Sequence, residues 1–190
     1  VQACMSQRIF GEAGDTVVVE ELLEGPEVSV FAFSDGENLS TPVAACDYKR
    51  LSDGGKGPNT GGMGSFTPPE FWNEALADGI IHTIMEPVIK ALAQRGTPYR
   101  GILYAGVMLT SEGPKVLEFN CRLGDPEAQV ILPLLASDPL ETMMACLNSG
   151  LSATPVQWHK RDHVGVVMCS GGYPGKYETG FDIIGLDLEE

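Results

Sequence analysis

The sequence has no apolar run long enough to cross a membrane. A membrane-spanning helix needs about 20 consecutive apolar residues, and the longest apolar stretches, residues 101–109 and 130–135, are much shorter. Residues 1–9 include Gln, Ser and Arg and lack the apolar block of a secretory signal. The chain is therefore expected to bind no membrane and to be cytoplasmic.

The five cysteines include no CxxC pair and belong to no Cys/His cluster. An odd number of cysteines without paired spacing is typical of a reducing compartment, where structural disulfides are rare. We therefore predict free thiols, mostly buried, in a cytosolic protein, and no zinc site.

Basic residues are scarce. The chain has 12 Lys and Arg against 26 Asp and Glu, which gives a net charge of −14. Nucleic acid is disfavoured as a partner because its phosphates require a basic face. A phosphate-bearing ligand remains compatible if divalent cations or clustered basic residues supply positive charge locally. The sequence Asp47-Tyr48-Lys49-Arg50 is such a cluster, and it is either an anion-binding segment or a solvated surface.

No familiar catalytic or nucleotide-binding motif is present. There is no Ser-His-Asp or Cys-His constellation, no GxGxxG, and no Walker A sequence, since neither Gly-Lys pair precedes Ser or Thr. Residues 54–64 contain six glycines, which predicts a loop. Its backbone N–H groups, with Asn59 and Thr60, would suit an anion. The alternative is a flexible surface loop.

Apolar patterning predicts six strands, at residues 17–19, 28–33, 39–45, 101–109, 115–120 and 164–170. The turn sequence at residues 34–36 predicts antiparallel pairing of the two strands that flank it. Residues 110–114 likewise predict a hairpin.

Apolar residues recur every four positions between residues 70 and 94, at Leu76, Ile80, Ile84, Val88 and Leu92. This spacing predicts one long helix, bent at Pro87 and ended by Gly96. Asp-Pro sequences at 125–126 and 138–139 predict two further helix starts, each with Asp as the N-cap.

Glu118 and Asn120 are two residues apart in a predicted strand, so their side chains should share a face. Two oxygen donors suit Mg²⁺, which usually needs substrate phosphates to complete its shell. Arg122 continues the alternation and could meet a phosphate. The pair is either part of a nucleotide site or the solvated face of an amphipathic strand.

Taken together, several segments resemble the glycinamide ribonucleotide synthetases (phosphoribosylamine–glycine ligases) of the ATP-grasp superfamily. The matching segments are residues 19–25, 47–50, 57–64, 101–106, 115–127 and 172–175. They occur in the family's order over nearly the whole chain. The resemblance implies an α+β ATP-grasp fold and a ligase of purine biosynthesis. In that reaction glycine attacks the γ-phosphate of ATP, and phosphoribosylamine then displaces phosphate from the glycyl phosphate.

The resemblance also implies the site residues. Adenine would be held by Glu20, Glu21, Leu22 and Leu23, ribose by Glu27, and Mg²⁺ or Mn²⁺ by Glu118 and Asn120. Lys49 and Arg122 would be catalytic. Glycine and phosphoribosylamine would lie against Asp47, Arg50, Asn59, Thr60, Gly61, Gly62, Met63 and Asp125.

The chain departs from the family pattern in two ways. Tyr48 stands where the family usually has histidine. The N-terminal domain, the phosphate lid with its lysine and most of the C-terminal domain have no counterpart. The resemblance therefore predicts a carboxy-terminal ATP-grasp subdomain at residues 1–150, a linker at 151–162 and the start of the C-terminal domain at 163–190, inactive as an excerpt.

Two other functions fit the same residues. Another ATP-grasp ligase or carboxylase would share the adenine and metal segments, although residues 58–64 argue against it. A non-catalytic nucleotide-binding module would keep the fold without the chemistry. The sequence leaves open whether the ligase stands alone or is fused to other purine-pathway enzymes.

Overall fold

The computed structural model describes residues 1–185. Six strands form one antiparallel sheet in the order β7-β6-β1-β2-β5-β8, and β3 and β4 form a separate hairpin. The strands are β1 (Glu27–Asp35), β2 (Val43–Asp47), β3 (Arg50–Ser52), β4 (Lys56–Asn59), β5 (Gly64–Thr67), β6 (Arg100–Thr110), β7 (Gly113–Asn120) and β8 (His163–Val166).

Helices cover both faces of this sheet. They are α1 (Glu74–Ile80), α2 (Glu86–Gln94), α3 (Ala128–Ile131) and α4 (Pro139–Leu147), with a π-helical turn between α1 and α2. Val28, Val30 and Ala32 of β1 pack towards α1 and α2. Phe31 packs towards α3 from the opposite face. Because both faces are covered, β1 is buried at nearly every position.

The long predicted helix forms, but its buried face changes part-way along. Ile80 and Ile84 are buried as expected, after which Met85 and Ile89 are buried in place of Val88 and Leu92. The π-helical turn at Ile81–Met85 inserts an extra residue and rotates the following residues. Pro87 lies in the first turn of α2, directly after the π-helical turn, and the bend predicted at this residue stays a prediction.

Two predictions about the first third of the chain were wrong. Residues 17–19 form no strand, and Val18 and Val19 are about four-fifths exposed, at 80% and 83%. Among residues 1–185 no strand pairs with this segment, so its β-branched side chains have no sheet to join. The glycine-rich segment is not entirely a loop, because it contains β4 and the turn that joins it to β3.

At the first Asp-Pro sequence a helix follows, but the predicted Asp125 cap was wrong. The helix begins at Ala128, after Glu127, and Asp125 does not cap it. Asp125 instead accepts a hydrogen bond from the Gln129 side chain, and Glu127 turns into the interior. At the second Asp-Pro sequence the prediction is confirmed, because Asp138 accepts a hydrogen bond from the Glu141 N–H and caps α4.

Residues 151–166 pack on the same core. Leu151 and Val156 are buried, and the Leu151 N–H donates to Asp35 at 3.1 Å. β8, shorter than predicted, pairs with β5. The linker and the C-terminal domain start remain predictions, because these contacts do not assign a domain boundary.

All five cysteines are free, but the prediction that most are buried was wrong. Cys146 is buried, whereas Cys121 and Cys169 are exposed. No helix within residues 1–185 combines the length and apolarity needed to span a bilayer.

Candidate functional site

A cleft of about 140 Å³ lies where β2 and β7 meet the glycine-rich segment and the turn before α3. Its lining is Asp47, Lys49, Thr60, Gly61, Tyr104, Glu118, Arg122, Asp125 and Glu127. Four carboxylates face two cationic side chains here. The cleft therefore favours ligands that bring positive charge, such as a metal ion or an ammonium group, with Lys49 and Arg122 available for an anionic group.

Glu118 and Asn120 lie on one face of β7, as predicted. The Asn120 amide Nδ2 donates to Glu118 Oε1 at 3.0 Å, and the Glu118 side chain is exposed to the cleft. Across the ladder, Gly106 is opposite Glu118, and a Cβ there would be 3.4 Å from Glu118 Cγ. The missing side chain gives the carboxylate room to lie over the sheet.

Glu118 and Asn120 suit a divalent cation whose remaining ligands include phosphate oxygens. Carboxylate and amide oxygens are hard donors, which suit Mg²⁺ and Mn²⁺. Within residues 1–185 no group of three or more His, Cys, Asp and Glu side chains is arranged to hold a metal ion. The cation is therefore expected to bind one oxygen each of Glu118 and Asn120, together with oxygens of a bound substrate and of water.

Lys49 is ion-paired with Glu27 at the side of this cleft. Burial lowers the pKa of Lys49, but the hydrogen bond and charge of Glu27 outweigh it, so the net shift is upward. Lys49 is thus held in its charged form. Glu27, assigned to ribose by resemblance, is placed beside Lys49 rather than with Glu20 and Glu21.

The segment assigned to adenine lies along the free edge of β7. Glu20, Glu21 and Leu23 face Lys115, Val116 and Leu117 across a groove of about 160 Å³. The Lys115 Nζ lies 3.0 Å from Glu21 Oε1. Leu22 does not line this groove and is 85% exposed.

The glycine-rich segment contributes part of its length to the cleft. Thr60 and Gly61 line it, and the Gly61 N–H donates to the Tyr173 hydroxyl at 2.8 Å. Gly62 packs so closely that an added Cβ would be 2.3 Å from Pro126 Cδ. Among residues predicted to bind substrate, four lie outside the lining: Arg50, Asn59, Gly62 and Met63.

Tyr48, the departure from the family pattern, does not line the cleft either. Its ring is 59% exposed and packs on Phe66, with 5.6 Å between ring centroids.

A buried polar network forms the floor of the cleft, and sequence reasoning missed it. Glu127 is only 2% exposed, and its Oε1 accepts hydrogen bonds from Ser29 at 2.8 Å and from Tyr104 at 2.9 Å. Burial, together with the negative charge of Glu127, raises the pKa of Tyr104. The available signal was Ser29 itself, a hydroxyl within the otherwise apolar run of residues 28–33.

Asp47 lies next to this network. Its Oδ1 is buried and has no hydrogen-bond partner among the described residues. Burial and the negative charge of Glu127 raise the pKa of Asp47 to about 6, although Lys49 opposes the shift. This carboxylate can therefore exchange a proton near neutral pH.

Comparison with known proteins identifies the family. Residues 1–128 match the family model described as phosphoribosylglycinamide synthetase, ATP-grasp (A) domain. The chain belongs to this phosphoribosylglycinamide synthetase family. The resemblance inferred from the sequence motifs is thereby confirmed.

Individual relatives agree with the family assignment. The chain is 50% identical over 183 residues to the phosphoribosylamine–glycine ligase of Caldanaerobacter subterraneus, covering 96% of this chain and 44% of that protein. It is 51% identical over 187 residues to the trifunctional purine biosynthetic protein adenosine-3 of Gallus gallus, covering 98% of this chain and 19% of that protein. The chain thus spans less than half of either relative.

A solved structure supports the fold. The crystal structure of phosphoribosylamine–glycine ligase from Thermotoga maritima superposes with a TM-score of 0.78 at 36% identity, covering 92% of this chain and 45% of that one. The α+β ATP-grasp fold is confirmed. Members of this phosphoribosylglycinamide synthetase family are ligases that use ATP and a divalent metal.

Proposed function

We propose that this chain is part of an ATP-dependent ligase that joins glycine to phosphoribosylamine. The products are glycinamide ribonucleotide, ADP and phosphate, formed through glycyl phosphate. The observation that carries the proposal is Glu118, which lines the same cleft as Lys49 and Arg122 and accepts a hydrogen bond from Asn120, in a member of this family.

The nucleotide would lie along β7. Lys115 to Leu117 border the groove beside Glu20 and Glu21, and Glu118 and Asn120 follow on the same strand. Five residues of antiparallel strand extend about 17 Å, so a ligand bound along β7 would meet both regions. Adenine would contact residues 20–23, and the triphosphate would reach Glu118.

Glu118 and Asn120 would hold Mg²⁺ or Mn²⁺. The metal, when bound, would supply charge neutralisation at the transferred phosphoryl group. Lys49, fixed by Glu27, and Arg122 would stabilise anionic oxygens at the centre of the cleft. No protein nucleophile is needed, because the chain's contribution is to align two reactants and to stabilise charge.

The acidic remainder of the cleft suits the amino groups of the two small substrates. Asp47, Thr60, Gly61 and Asp125 line it and would contact glycine or phosphoribosylamine. Arg50, Asn59, Gly62 and Met63 would act by shaping the glycine-rich segment rather than by touching substrate.

The domain division also forms part of the proposal. Residues 1–150 would be the carboxy-terminal ATP-grasp subdomain, 151–162 a connection and 163–190 the start of a C-terminal domain. Some relatives are trifunctional purine biosynthetic proteins, so fusion to other purine-pathway enzymes is compatible with this arrangement. A cytoplasmic location follows from the proposed pathway.

The test is substrate-dependent ADP release by the full-length protein. With ATP, Mg²⁺ and phosphoribosylamine present, glycine should stimulate ADP release, whereas bicarbonate or alanine should give at most background. Stimulation by bicarbonate and not by glycine would favour the ATP-grasp carboxylase alternative. Tight Mg·ATP binding without turnover on any acid would favour the non-catalytic module.

A further inference from the structure

One oxygen of the Asp47 carboxylate is buried without a hydrogen-bond partner among the described residues. Asp47 ends β2, lines the cleft, and keeps Oδ1 sealed from solvent without a hydrogen-bond donor within residues 1–185. A buried carboxylate oxygen without a donor is costly. Asp47 as a whole is half-buried and lines the cleft, so a ligand there can reach its carboxylate.

Glu127 is fixed beside Asp47 by contacts from three directions. Ser29 and Tyr104 both donate to Oε1, and Gly124 lies against the other oxygen, because an added Cβ there would be 2.3 Å from Oε2. The adjacent Pro126 carbonyl accepts from the Ser65 hydroxyl at 2.8 Å. The charge of Glu127 therefore has a fixed position relative to Asp47.

We propose that Asp47 is the catalytic base that takes the proton from the attacking substrate amine, and that Glu127 is the positioning residue that maintains Asp47 as a proton acceptor. This inference rests on the proposed ligase function. It adds a role for Asp47 beyond lining the pocket, and a role for Glu127.

The proton transfer completes amide formation. The amine nitrogen of phosphoribosylamine forms a bond to the carbonyl carbon of glycyl phosphate, and the bond from that carbon to the phosphate oxygen breaks. Phosphate leaves with the electron pair of the broken bond. The surplus N–H proton passes to the Asp47 carboxylate and then to the departing phosphate, which leaves Asp47 ionised for the next turnover.

The charged surroundings set the direction of the pH dependence. Burial and Glu127 raise the pKa of Asp47 to about 6; Lys49 lowers it, and Glu27 and Asp125 raise it further. Cys46, the preceding residue, has its own pKa raised to about 11 and stays neutral. Asp47 accepts a proton only when ionised, so the rate should fall as the pH drops through about 6.

The experiment uses the full-length enzyme and separates the two chemical steps. Positional isotope exchange in ATP, with glycine and without the amine, reports glycyl phosphate formation, and glycinamide ribonucleotide production reports the second step. Asp47→Asn should reduce amide formation about 100-fold or more beyond any change in its exchange rate, since general-base catalysis contributes about 10²–10⁴-fold. Amide formation within about tenfold of wild type would overturn the inference.

Glu127→Gln tests the positioning role. The amide oxygen can still accept from Ser29 and Tyr104, but the negative charge is lost. The acid limb of the kcat/KM profile should therefore move to lower pH, whereas Glu37→Gln, an exposed carboxylate, should leave it in place. A uniform loss of kcat/KM without displacement of the limb would assign Glu127 a structural role only. Absence of glycine-dependent exchange in the wild type would instead refute the proposed function.

Discussion

Replacing Glu118 by Gln in the full-length protein is expected to lower the ligase rate by about 100-fold or more, with little change in stability. Glu118 is an exposed side chain whose hydrogen bond goes to its neighbour Asn120. The neutral Gln side chain has the same size as Glu but lacks the negative charge that would attract the cation. Charge stabilisation by a bound metal lowers a reaction barrier by several kcal/mol. Each 1.4 kcal/mol changes the rate about tenfold.

Steady-state ADP release over a range of Mg²⁺ concentrations checks this prediction. The matched control is Glu86→Gln, a carboxylate of α2 that pairs with Lys90 and His82 far from the cleft. The control should retain wild-type turnover, and both variants should unfold at the wild-type temperature. Turnover of Glu118→Gln close to wild type would remove the metal assignment.

Replacing Gly62 by Ala is expected to destabilise the protein by about 2–5 kcal/mol and to open the cleft. Gly62 has a φ of +114°, and its added Cβ would be 2.3 Å from Pro126 Cδ and 3.0 Å from Asp47 Oδ1. Backbone strain costs about 1–3 kcal/mol, and overpacking costs about as much again. Relief of the clash would displace the turn that carries Asp125 and Glu127.

The variant Gly54→Ala separates the cost of backbone strain from the cost of overpacking. Gly54 also has a positive φ, +69°, but nothing lies within 4 Å of its added Cβ. In this variant backbone strain alone should lower the free energy of unfolding, by about 1–2 kcal/mol. Its KM values for the substrates should equal those of the wild type. Urea unfolding measures the difference between the variants. Equal destabilisation of both would show that Gly62 does not pack against the Asp125–Glu127 turn.

The parts of the fold predicted from sequence are those set by local pattern. The β6–β7 hairpin follows from two apolar runs around the turn sequence at residues 110–114, and the placement of Glu118 and Asn120 on one face follows from strand alternation. The Asp138 cap of α4 likewise depends on neighbours three residues apart. The family motifs also assigned Asp47, Lys49 and Asp125 to the site, and all three line the cleft. Residue spacing alone could not have placed them together.

The parts that could not be predicted depend on contacts between distant residues. Glu127 follows an Asp-Pro sequence that predicts a helix start, yet its side chain is buried and accepts a hydrogen bond from Ser29, 98 positions away. The π-helical turn at Ile81–Met85 has no spacing signature of its own. Residues 17–19 have strand-forming side chains but no paired strand among the described residues. In each case tertiary packing outweighed local preference.

The most direct test of the account is the location of the divalent cation. Crystals of the full-length protein grown with Mn²⁺ and a non-hydrolysable ATP analogue would reveal the metal by its anomalous signal. The account predicts a peak within coordination distance of both a Glu118 carboxylate oxygen and the Asn120 amide oxygen, in contact with the phosphates and beside the cleft of Lys49 and Arg122. A nucleotide-bound metal remote from this pair would contradict it.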